Sequence, residues 1–246
     1  MTARAGFATR APVAIADEIR AAVGVVFGLG ALGRSPSREA EVGGLVFYPV
    51  VGAAVGGIAA AGAALAAPLG PLPAAAAAVG VLAAGSVGRT VRTLANAGRR
   101  PDRHGLTLGG FALAVSVVAA KVWAVWRIPG GGRTAALVLA GMLGRWAIVV
   151  QCYGGTPAAG SGQAARLVGR ARLREFGWAS AIAFAATLAT LDAIGLLVLL
   201  AATLTTIALR VAAYRRSGGV GAPLLDVSLE LVETVVLLVL AGLARG

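Results

Sequence analysis

Between Phe176 and Tyr214 the chain carries only two charged residues, Asp192 and Arg210. A bilayer-spanning helix needs about 20 mostly apolar residues, because each backbone amide inside the membrane must be satisfied within its own helix. This stretch is too long for one span, and the weak break at Asp192 predicts a tight helical hairpin. The same reading places spans at 44–67, 72–88, 105–126, 134–153 and 222–244. An apolar run at 21–33 is too short to cross and fits a re-entrant, interfacial or partial span. The expected fold class is all-α, a polytopic transmembrane helical bundle of about six or seven spans. Residues 1–43 are expected to form an N-terminal cytoplasmic segment with a short apolar helix, and 44–246 the membrane domain.

Composition agrees. The chain is 58% hydrophobic and 13% charged, with mean hydropathy +0.85, whereas soluble domains sit near about 45–50% apolar and about 25% charged. A net charge of +12 would suggest nucleic acid for a soluble protein. Here the arginines cluster in short segments between apolar stretches, which points to anionic lipid head groups and away from nucleic acid.

The loops alternate in arginine content. Rich segments hold Arg4, Arg10, Arg20, Arg34 and Arg38, then Arg89, Arg92, Arg99, Arg100 and Arg103, then Arg166, Arg170, Arg172 and Arg174, and last Arg210, Arg215 and Arg216. The turn at 68–71 and the break near Asp192 hold none, and 127–133 holds only Arg127 and Arg133. Positive charge stays on the cytoplasmic side, so the N-terminus and the large loops are expected there. Gly52–Gly56 and Gly105–Gly109 read as close-packing surfaces between helices.

Cys152 is the only cysteine and His104 the only histidine. That excludes an intramolecular disulfide, cysteine-based metal clusters and histidine-pair zinc sites, and disfavours a Ser-His-Asp triad. No clean signal peptide opens the chain, since Asp17, Glu18 and Arg20 interrupt any apolar core.

Ionisable side chains inside spans are costly and need a partner, a cavity or a role. Asp226, Glu230 and Glu233 lie at i, i+4 and i+7 on one face of the last span. They could bind a divalent cation or carry protons, or they could be solvated or paired with Arg215 and Arg216. Arg145 lies within its span and requires an acid, a phosphate or water; Glu233 and a substrate phosphate are the two candidate partners. Lys121 is expected to snorkel toward the outer interface beside Trp123 and Trp126. His104, in the basic loop, is expected to be solvated rather than an acid–base group.

Four segments, in order, resemble the cobalamin-5′-phosphate synthases, or adenosylcobinamide-GDP ribazoletransferases. They are FYPVVGAAVG at 47–56, GGFALAVSVVAAK at 109–121, LGRWAIVV at 143–150, and GGV at 218–220 followed by LELVETVVLL at 229–238. The resemblance implies a bacterial plasma-membrane enzyme that joins α-ribazole, or its 5′-phosphate, to adenosylcobinamide-GDP and releases GMP with Mg²⁺. It implies Glu230 and Glu233 as catalytic groups and metal ligands, bound to an anionic, nucleotide-linked corrinoid; Asp226, on the same helix face, is a further metal candidate, and Arg145, Arg89 and Arg92 are candidates to neutralise the substrate's phosphates. The family's Asp-rich loop is not reproduced: Val87 stands at its histidine, and Arg89, Thr93 and Asn96 at its three aspartates. Two other functions are therefore carried. One is a catalytically lapsed homologue serving as partner or scaffold among cobalamin-assembly membrane proteins. The other is a small transporter component using the acidic face of the last span.

Overall fold

The structure is a computed structural model and describes residues 15–27, 37–84, 108–159 and 162–244. Arg89, Arg92, His104 and Gly105 of the Gly105–Gly109 pair lie outside these residues. Among the described residues nine α-helices follow in order: α1 Ile15–Phe27, α2 Arg38–Gly43, α3 Tyr48–Ala66, α4 Pro71–Ala84, α5 Leu108–Arg127, α6 Gly130–Cys152, α7 Leu173–Leu191, α8 Ile194–Ser217 and α9 Ala222–Leu243. Among the described residues there is no strand, only two isolated backbone bridges, Tyr153 to Ala171 and Pro157 to Val220. The protein is a helical membrane bundle.

Among the described residues three helical stretches are long and apolar enough to cross a membrane by length and composition alone: Glu39–Leu69, Gly130–Cys152 and Ile194–Ser217. Of these, α6 is the most enclosed and α8 the least. The first is continuous from α2 through a 3₁₀ turn at Gly44–Phe47 into α3. α1, with 13 residues, reaches only about 20 Å at about 1.5 Å per residue. Its buried Ala21 and Ala22 lie against that 3₁₀ turn, where a side chain on Gly44 would strike the Glu18 carbonyl.

The sequence-predicted hairpin is present. α7 ends at Leu191, and Asp192 turns the chain with φ 50° while its N–H donates to the Leu188 carbonyl. That positive φ is a conformation residues with a Cβ rarely adopt, and it reverses the chain between the two helices. Gly195 then packs against the Thr187 carbonyl, so α8 leaves in close contact with α7.

At the centre, α6 packs against α3 on one side and α9 on the other. Small residues let helix backbones approach in lipid, where dispersion and packing drive association. On α3, a Cβ at Gly52 would collide with the Gly141 carbonyl and one at Gly56 with the Leu137 carbonyl. On the opposite side, a Cβ at Gly144 would lie 2.7 Å from Cγ of Glu233. This second close approach carries Glu233 into the middle of the bundle.

Candidate functional site

The described part of the bundle buries four charged side chains in one cluster. α9 supplies Glu230 and Glu233, α6 supplies Arg145 and α5 supplies Lys121, each at most 3% exposed. Lys121 Nζ donates to Glu230 Oε2 at 2.5 Å and to Glu233 Oε2 at 2.6 Å. Arg145 Nη1 donates to the other oxygen of Glu233, and also to the Gly141 carbonyl at 3.3 Å. Two cations thus meet two carboxylates, and the formal charges cancel.

Lys121 does not snorkel toward the interface as expected. Its helical neighbours Ala114, Val117, Ala124, Val125 and Ile128 are all buried, while Trp123 and Trp126 lie on the outward face. Adjacency in sequence to two tryptophans misled the expectation; the i±3, i±4, i±7 stripe carried the correct signal. The pairing considered for the α9 acids also differs. Arg215 and Arg216 make no ion pair with a described residue, and Glu230 and Glu233 are held by Lys121 and Arg145 instead. Asp226, one turn nearer the basic end, is only half-buried. Of Arg145's two candidate partners, the structure provides Glu233.

A second polar group was not anticipated from sequence. Gln151 Nε2 donates to the Thr206 carbonyl at 3.0 Å and to Ser228 Oγ at 3.1 Å, tying α6 to α8 and α9. Nearby, one nitrogen of Arg210 donates to the carbonyls of Val150, Gln151 and Tyr153, closing the C-terminal end of α6. A guanidinium there meets the negative end of the helix dipole and its unpaired carbonyls.

The family model for cobalamin-5-phosphate synthases matches residues 103–241, more than half of the chain, and spans α5 to α9. The chain belongs to this family. Its role lies in cobalamin biosynthesis, and Lys121, Arg145, Glu230 and Glu233 all fall inside the matched segment. No match was found among curated proteins or solved structures.

For a family member, the fit of this site to Mg²⁺ can be judged from its donors. A hard divalent cation needs carboxylate oxygens with negative charge to spare. Here Glu233 has both oxygens in hydrogen bonds to cations, and Glu230 shares Lys121. Among the described residues no three Asp, Glu, His or Cys side chains converge. The described donors therefore do not fit Mg²⁺. What they do is hold α5, α6 and α9 together: an uncompensated charge in this medium is costly, so each partner fixes the others.

Proposed function

We propose that the protein acts at the ribazoletransferase step of cobalamin assembly. A hydroxyl of α-ribazole, or of its 5′-phosphate, attacks a phosphorus of the adenosylcobinamide-GDP diphosphate. One P–O bond forms, the bond to GMP breaks, the hydroxyl proton is released, and GMP leaves with the bonding electrons. Catalysis of this kind is positioning plus neutralisation of charge on the transferring group. The observation that carries the reading is the family match across all the helices that build the charge tetrad. In this reading Arg89 and Arg92 neutralise the diphosphate. Glu230, Glu233, Lys121 and Arg145 act as positioning residues that fix the helix frame. The membrane is the bacterial plasma membrane, with the N-terminus and the arginine-rich loops cytoplasmic.

A specific observation favours a second reading. The two family glutamates are neutralised by Lys121 and Arg145, and Arg89, Thr93 and Asn96 stand where acids would supply a metal site. A lapsed homologue that keeps the frame as partner or scaffold for other cobalamin-assembly membrane proteins would have this character.

Complementation separates the two. A host lacking its own cobalamin-5′-phosphate synthase is grown where completed cobalamin is required, and membranes are assayed for GMP release from adenosylcobinamide-GDP. We expect growth and GMP release with the wild-type chain, both lost in Arg89→Gln/Arg92→Gln at unchanged membrane abundance. No growth and no GMP despite verified insertion would discard the enzyme in favour of the scaffold.

A further inference from the structure

The basic end of α8 bears a feature that the tetrad does not explain. A concavity of about 460 Å³ is lined by Gly154, Arg210, Val211, Tyr214 and Arg215. A second concavity adjoins it along the same helix and shares Val211 and Arg215. We propose that this is a binding site for an anionic phospholipid, with its phosphate at Arg215 and Tyr214 and an acyl chain along α8.

The donors are in place. Tyr214 Oη accepts hydrogen bonds from Thr156 N at 2.8 Å and Thr156 Oγ1 at 3.0 Å. A phenol has two acceptor positions and one donor, so its own O–H remains free to donate to a phosphate oxygen. Arg215 has no carboxylate partner among the described residues, and Arg210 is engaged by carbonyls alone. Charge-assisted hydrogen bonds from arginine to phosphate are the strongest available here.

The wall is built before any ligand arrives. Val220 N donates to the Thr156 carbonyl and Ala158 N to the Val220 carbonyl, at 2.8 and 3.0 Å. Gly154 bends the chain at φ 62°, and a side chain there would meet nothing within 4 Å.

The apolar track decides between a lipid and a soluble phosphate. Leu200, Leu204, Ile207 and Val211, at i, i+4, i+7 and i+11, are each 45–56% exposed. This stripe runs along α8 and ends at Arg215, one turn beyond Val211. A spanning helix that is apolar on its outer face and cationic at one end matches an acyl chain continued by an anionic head group.

The test uses the full chain, delipidated in neutral detergent, with bound lipid read by native mass spectrometry. Short-chain phosphatidylglycerol, phosphatidylcholine of the same chains, and inorganic phosphate are titrated separately. We expect saturable retention of phosphatidylglycerol alone, weakened about tenfold in Tyr214→Phe/Arg215→Gln, which corresponds to loss of roughly one charge-assisted hydrogen bond. Arg127→Gln, at the far end of α5, removes the same charge and should bind as wild type. Equal retention of the two lipids by the wild-type chain would overturn the proposal, as would a double variant that binds unchanged. Phosphate adducts that displace the lipid would reassign the site to soluble anions and overturn it too.

Discussion

At the centre of the bundle Lys121, Arg145, Glu230 and Glu233 satisfy one another away from water. At the basic end Arg215 and Arg216 are exposed and face no carboxylate among the described residues. The same chemistry therefore serves two purposes according to depth. Buried charges must be cancelled in place, because the medium cannot screen them, and the result is a rigid joint between helices. Charges at the rim remain solvated, tolerate one another, and keep their donors available to anions.

The largest effect is expected where this contrast is broken at its centre. Glu233→Gln leaves two buried cations sharing one carboxylate and should cost about 3–5 kcal/mol of stability. Thermal unfolding of the purified chain in detergent would read this as a large drop in Tm. A Tm close to wild type would mean that the tetrad is not the joint that the geometry describes.

A double-mutant cycle on Lys121 and Glu230 sharpens the same point. Lys121→Met alone leaves two buried acids with Arg145 as the one tetrad cation and should destabilise by about 3 kcal/mol or more. Adding Glu230→Gln restores the balance between Arg145 and Glu233 and should recover at least about 1 kcal/mol of that loss. Strictly additive costs would show that the two residues act independently. The smallest stability effect is expected at the rim: Arg215→Gln should leave unfolding within about 0.5 kcal/mol of wild type. A loss as large as that of Glu233→Gln would erase the distinction between the two regions.

The helix order was readable because the bilayer imposes a length and polarity rule on every span. The Asp192 hairpin and the Gly52–Gly56 packing surface both appear where the sequence places them. Span 72–88 matches α4 over the residues described, to Ala84, and its last four residues lie outside them. For the site, Glu230, Glu233 and Arg145 stood out as charges in an apolar setting. Lys121 carried the same signal, but it was assigned to the wrong side of its helix. Gln151 and Ser228 gave no such warning, since uncharged polar residues are common near the ends of spans.

By itself the sequence determined that this chain spans a membrane as an all-helical bundle and which charges must be explained, since both follow from local polarity counted along the chain. Only the tertiary structure decided how those charges cancel. Lys121 lies 112 residues from Glu233 and Arg145 lies 88 residues from it. Which of them reaches it depends on how α5, α6 and α9 are rotated and set in depth. That setting is fixed by close contacts such as Gly144 against Glu233, which no single helix encodes.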